Sequence, residues 1–223
     1  MKKKNLALFD LDDTLFDGDT EGEWVKYMDQ AGLIQDPEFF NEMENFGKSY
    51  RQGDLNVDEY SEFLLSPLVG KNLKELEDKV DIFTSDVIDR LTDELTEELL
   101  LKHRDDTKIL TSGSLTFLVK VIGQKMGIET CFGTDPEYKD NIFTGKVEGS
   151  PNFSEEKVRR IKIWMQSNHF EKIFAYSDSI HDLPLLEFSD IPSAISPDKK
   201  LLKVAEERKW MVEGRRNITR SLP

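Results

Sequence analysis

The chain opens its regular patterning with a short apolar run, Leu6-Ala7-Leu8-Phe9, which stops at the polar group Asp10-Leu11-Asp12-Asp13-Thr14. Four uninterrupted apolar residues are too few for a helix and suit a strand buried on both faces. Between this run and the next clear strand, Lys108-Ile109-Leu110-Thr111, no stretch reads convincingly as a strand. Apolar residues recur there at helical spacing instead: Trp24, Tyr27, Met28 and Ala31, then Tyr60, Phe63 and Leu64, then Val87, Ile88, Leu91 and Leu95. Pro37, Gly53, Pro67 and Gly70 punctuate the stretch into about four helices.

Beyond Thr111 the pattern alternates. It predicts a helix over 114–126, a strand over 129–133, a hairpin arm over 142–147 and a helix over 154–167, with Ser154 at the cap and Glu155 and Glu156 in the first turn. A buried strand over 172–176, a short helix over 180–188, a strand over 191–195, a helix over 198–208 and a strand over 210–212 close the chain. This order predicts an α/β fold: a doubly wound, Rossmann-like parallel sheet covered on both faces, with a helical cap inserted after the first strand. The expected division is a core of residues 1–16 and 104–223 and a cap of residues 17–103.

In an open α/β sheet the C-terminal ends of strands are the usual place for chemistry, and Asp10 and Asp12 arrive together at such an end. Residues two apart on an extended chain point the same way, so the two carboxylates are placed to act as nucleophile and proton carrier. On this fragment alone a polar strand terminus with an Asx-type turn remains the alternative.

Composition narrows the field. At 223 residues, 38% hydrophobic and 33% charged, the chain reads as a soluble globular protein with one substantial core and a smaller insertion. Its net charge of −14 argues against nucleic acid or an anionic membrane as partner, and requires any phosphate site to be rebuilt locally from cations and backbone N–H groups. Most of the acidic surplus lies in the helical insertion, on faces expected to be solvated. The single cysteine, Cys131, cannot form an internal disulfide and reads as a small core residue, which suits a reducing cytoplasm. Met1-Lys2-Lys3-Lys4 is basic, but Asp10 interrupts the apolar stretch behind it and no small-residue cleavage site follows, so a secretory signal is not expected.

Four fragments, in order, resemble the haloacid dehalogenase superfamily of phosphohydrolases, and in particular its phosphoserine phosphatase-like branch with a helical cap. Asp10-Leu11-Asp12-Asp13-Thr14-Leu15 resembles the nucleophile motif, and Leu110-Thr111-Ser112-Gly113 the second, hydroxyl-bearing strand end. Lys157 stands where the branch carries its phosphate-binding lysine, and Asp178-Ser179-Ile180-His181-Asp182-Leu183-Pro184 resembles the acidic metal motif.

The resemblance implies a phosphatase for a small phosphomonoester, working through an aspartyl phosphate. Asp10 would attack, and Asp12 would protonate the departing alkoxide and later take a proton from water. Asp10, the main-chain carbonyl of Asp12 and Asp178 make a hard oxygen site that fits Mg²⁺, with Asp182 as a direct ligand or behind it. The Thr111 hydroxyl, the N–H of Ser112 and the Lys157 ammonium would hold the remaining phosphate oxygens.

His181 replaces a common asparagine of the branch, and Asp19 falls where phosphoserine phosphatases place a glutamate for the substrate's amino group. Asp19 and Glu23 near the cavity entrance favour an amino-bearing substrate such as histidinol phosphate or phosphoserine, and Arg51 is the candidate for a substrate carboxylate. A dehalogenase of the same superfamily and an aspartate phosphoacceptor domain are the rival readings, and Asp12 counts against both, since neither needs an acid for an alkoxide.

Overall fold

The computed structural model describes residues 4–166 and 168–215. The basic start at residues 1–3 and the expected helix end at Ser167 lie outside the described residues. Six strands form one parallel sheet in the order β3-β2-β1-β6-β7-β8: β1 (Leu6–Phe9), β2 (Thr107–Leu115), β3 (Thr130–Thr134), β6 (Ile173–Ser177), β7 (Ile191–Ile195) and β8 (Met211–Glu213). β4 (Pro136–Lys139) and β5 (Ile142–Val147) form the expected hairpin. The doubly wound α/β core with an early helical insertion is therefore present.

Period-two alternation in β1 divides the interior. Ala7 and Phe9 join a large cluster with α6 (Thr116–Lys125) and the inserted helices, whereas Leu6 and Leu8 join a second cluster with α7 (Glu155–Met165), α8 (Leu183–Phe188) and α9 (Lys199–Arg208). Burial on both faces is what a central parallel strand requires, and it explains why β1 reads as an unbroken apolar run.

Between β1 and β2 the chain forms α1 (Thr20–Gln30), α2 (Phe39–Gln52), α3 (Val57–Leu65), α4 (Leu73–Leu91) and α5 (Glu94–Lys102), one helix more than the pattern predicts. Trp24, Phe83 and Phe117 meet edge to face and seal α1 and α4 onto α6. Residues 70–73 run beside the hairpin, with Gly70 N–H donating to Phe143 O at 3.0 Å, Phe143 N–H to Lys71 O at 3.0 Å and Leu73 N–H to Asn141 O at 3.1 Å. The helix expected over 114–126 starts two residues later, because β2 continues through Gly113 and Ser114 to Leu115. No helix among the described residues is long and apolar enough to cross a membrane.

α5 ends at His103, which is 1% exposed and packs its ring on Phe9, Phe174 and Tyr176. Its Nε2 lies 2.7 Å from Tyr176 Oη and its Nδ1 2.8 Å from Asp106 Oδ2. Burial lowers the His103 pKa although Asp106 opposes the shift, so the folded chain holds a proton here less readily than the unfolded chain. Below the unfolded value of about 6.5 the unfolded state then binds more protons, and stability must fall as pH falls. Urea unfolding at pH 7 and pH 5 should show the wild type losing stability relative to His103→Gln across that interval. An identical pH dependence in the two proteins would contradict this role.

Candidate active site

The strand order reverses at β1 and β6, so their C-terminal ends open side by side at the crevice where doubly wound sheets bind ligands. Asp10 directly follows β1, and Asp178 directly follows β6. Asp10 keeps the parity of Leu6 and Leu8 and meets the α7 side, where Lys157 Nζ donates to Asp10 Oδ1 and to Asp182 Oδ2, each at 2.7 Å. Ser177 Oγ donates to the same oxygen of Asp182 at 2.9 Å. Burial alone would lower the Lys157 pKa; the two touching carboxylates outweigh it and hold the ammonium above its ordinary value.

Asp12 is held on a different wall. Thr20 N–H donates to Oδ1 at 2.6 Å, and the hydroxyls of Ser112 and Ser114 reach Oδ2 at 3.2 and 3.0 Å. Burial and then Asp19 raise the Asp12 pKa against the bonds from Thr20 and Ser114. Serine hydroxyls accept as well as donate, so this carboxyl group can gain or lose a proton without losing its supports. Asp10 is likewise raised well above its ordinary value, by burial and by Asp182, Asp178 and Asp12, against the pull of Lys157. Asp178 is pushed up to about 7 by burial, although Thr14 Oγ1 donates to its Oδ1 at 3.0 Å.

A cavity of about 350 Å³ separates these groups from the inserted helices, and Asp10, Asp12, Ser112, Lys157, Asp178 and Asp182 all line it. Of the residues expected to bind substrate, Asp19, Arg51 and His181 also line it, and Glu23 does not. Glu23 is ion-paired instead with Lys26 and Arg90, each at 2.7 Å, across the surface of α1 and α4. Asp19 is committed to local structure: as the N-cap of α1 its Oδ1 accepts from the N–H groups of Glu21 and Gly22. Thr111 lies outside the lining, because its hydroxyl accepts from Asn152 Nδ2 at 3.0 Å. His181 packs between Phe153 and Tyr50, with both ring centroids 5.0 Å away, and burial lowers its pKa.

Several residues of the site carry no sequence motif. Glu21 faces the cavity, accepts from Tyr60 Oη at 3.0 Å and is pushed up to about 8 by burial and by Asp19 and Asp12. Asn152 ties the loop before α7 to β2 and β3 by donating to Thr111 Oγ1, Ser112 O and Phe132 O. The signal for Ser114 was present: it is two residues from Ser112 and therefore on the same face of a strand that runs far enough.

The donor chemistry fits Mg²⁺. Asp10, Asp12, Asp178 and Asp182 line one cavity with Lys157, and burial holds the carboxyls of Asp10, Asp12 and Asp178 above their ordinary range, which is the surplus of negative charge a divalent cation neutralises. Among the described residues no three or more His, Cys, Asp or Glu side chains form a ready cage. Mg²⁺ asks for one or two carboxylates and fills its remaining positions with water and phosphate oxygen.

Comparison with known proteins agrees with this geometry. Residues 7–187 match the model of the haloacid dehalogenase-like hydrolases. The chain is 32% identical to a histidinol-phosphatase of Neisseria meningitidis serogroup C, covering 94% of this chain and 98% of that one. It is 26% identical to a phosphoserine phosphatase of Methanocaldococcus jannaschii, covering 91% and 90% of the two chains. A solved structure of a protein of unknown function from Bordetella pertussis superposes with a TM-score of 0.86 at 31% identity, covering 95% of this chain and 99% of that one. The chain belongs to the haloacid dehalogenase-like hydrolases, in their phosphoserine phosphatase-like branch, and is a phosphatase.

Proposed function

We propose that the protein is a Mg²⁺-dependent phosphatase for a small phosphomonoester whose leaving group carries a positive charge, with histidinol phosphate preferred over phosphoserine. The observation that carries this reading is Glu21, a carboxylate facing the cavity beside Asp12 that accepts a hydrogen bond from the neutral hydroxyl of Tyr60. With its pKa raised to about 8, it gains most from a cation brought into contact with it. The rings of Tyr50, His181 and Phe153 border the same cavity and suit a flat group. A phosphoserine carboxylate would fall to Arg51, which lines the cavity from the exposed last turn of α2. The name of the Neisseria relative points the same way.

In this reading Asp10 attacks phosphorus as the bond to the leaving oxygen breaks, and Asp12 supplies the proton that oxygen takes up. Water then attacks the aspartyl phosphate, gives its proton to Asp12 and frees both phosphate and Asp10. Lys157 and the N–H of Ser112 neutralise the transferred oxygens, and Asp182 serves chiefly to hold Lys157. Mg²⁺, held by Asp10, Asp178 and the Asp12 carbonyl, would neutralise charge on the phosphoryl group. The cap that selects the leaving group we place at about 17–92. α5, beyond it, belongs with the core, because Thr96 Oγ1 donates to Leu15 O at 2.5 Å and His103 packs on β1 and β6.

Two experiments test this. Glu21→Gln keeps the shape and the Tyr60 contact but removes the charge, so KM for histidinol phosphate should rise roughly 10- to 100-fold while that for p-nitrophenyl phosphate stays within about threefold. An equal effect on both substrates would make Glu21 structural. Lys157→Met should lower kcat by about 10² to 10³ with every substrate, and Lys157→Arg should not restore it, because a guanidinium fork cannot take the ammonium's place between Asp10 and Asp182. Near-normal turnover in either variant, with folding checked by circular dichroism, would remove Lys157 from the phosphate site.

A further inference from the structure

The chain leaves the core for the cap near residue 17 and returns near residue 92, and the two crossings touch: Asp17 N–H donates to Leu91 O at 2.8 Å. Gly18, at φ 149°, sits so close to Leu91 that an added Cβ would lie 3.0 Å from its Cδ2. A residue from the opposite end of the chain converges on this spot. Arg215 follows β8, and its backbone N–H is fixed to Ser196 Oγ at 3.1 Å. Its guanidinium donates through Nη2 to Thr14 O at 2.5 Å, pairs through Nη1 with Asp93 Oδ2 at 2.6 Å, and places Nε 3.9 Å from Asp17 Oδ1.

The Arg215 side chain is only 10% exposed, so ordering and drying it costs free energy that its partners must offset. The offset is electrostatic: Nη2 makes the hydrogen bond to Thr14 O, while Nη1 and Nε, buried without an aligned hydrogen bond, face the carboxylates of Asp93 and Asp17 as ion pairs. Burial raises the Asp93 pKa, yet Arg215 and Thr96 outweigh it and hold the carboxyl below its ordinary value. Asp93 is also the N-cap of α5, and Thr14, whose carbonyl Arg215 grips, holds Asp178 through its hydroxyl. One cation therefore contacts the turn after β1, the outgoing crossing and the returning crossing. Thr20 and Glu21, which hold Asp12 and face the cavity, begin α1 only a few residues beyond that clasp.

We propose that Arg215 is a positioning residue that clasps both core-to-cap crossings and so sets where α1 places Thr20 against Asp12 and Glu21 over the cavity. It touches no reacting atom. The inference goes beyond the substrate reading, and its first readout involves no substrate, so the two fail separately.

The test is hydrogen–deuterium exchange on the full chain, comparing wild type with Arg215→Met, which keeps the apolar stem and removes charge and donors, and with Arg215→Lys. In Arg215→Met the amides of 13–18 and 91–96 should exchange roughly tenfold faster while those of β6 and α7 stay unchanged. KM for histidinol phosphate should rise about tenfold with kcat for p-nitrophenyl phosphate within about threefold. Arg215→Lys, able to reach one partner at a time, should fall between. Asp93→Asn, a milder change that retains an N-cap, should reproduce the local exchange pattern if Arg215→Met does not fold. Unchanged exchange at the crossings, or an equal increase throughout the sheet, would overturn the proposal.

Discussion

The Lys157 ammonium, 2.7 Å from both Asp10 and Asp182 and 3% exposed, is the charge around which this wall of the cavity is arranged. A lone ammonium at that depth would shed its proton, and buried carboxylates left without a cation would carry an uncompensated charge. Together they are tenable, and each fixes the others in place: α7 must present its first turn to the end of β1, and the loop after β6 must fold back so that Asp182 reaches in. Asn152, buried and bonded to β2 and β3, anchors the loop that aims α7. The residual excess of carboxylates is what makes the site receptive to a divalent cation and a phosphate bound together.

The inserted helices complete the cavity and are fastened to the core at several places besides the packing of Trp24 and Phe83 on Phe117. The crossings carry the Asp17–Leu91 bond, residues 70–73 run beside the β4–β5 hairpin, and Tyr50 Oη lies 3.2 Å from Ser179 Oγ. The Tyr50 fastening is one exposed hydrogen bond between side chains together with the ring contact on His181. The division of labour follows from this layout. In the proposed reading, the groups that handle phosphate come from strand ends of the sheet and the first turn of α7, and the groups that meet the leaving group, such as Glu21 and Tyr60, come from the insertion.

Much of this was legible in the sequence, for physical reasons. A buried central strand must be continuously apolar, so β1 and the two aspartates at its end stand out, and parallel topology follows from strands alternating with helices. The turn after β1, Lys157 and the acidic loop after β6, which line one cavity, stand out in the sequence as local strings. What escaped depended on register or on distant partners. β2 runs further than its pattern suggests, because Ser and Gly are poor strand formers, and Ser114 lies in that extension. Thr111 and Ser112 are adjacent, so strand alternation sends only one of them to the cavity. Asp19 carries the signature of a helix N-cap, which competes with a binding role, and Glu23 finds Arg90 on another helix. Glu21 becomes conspicuous only once Tyr60 is seen opposite it, and Arg215 has no motif at all.

The central claim is that Asp10 carries the phosphoryl group and Asp12 manages the protons. An alkyl leaving group needs a proton as its bond to phosphorus breaks, whereas p-nitrophenolate does not, so the two duties of Asp12 separate in an Asp12→Asn variant given p-nitrophenyl phosphate. Rapid quench with labelled phosphate should show a burst near one equivalent per active site, label retained on Asp10 and slow turnover after it, with alkyl phosphates reduced by about 10² to 10⁴ at the first step. Near-normal steady-state turnover of an alkyl phosphate by that variant, with no label on Asp10, would contradict the account.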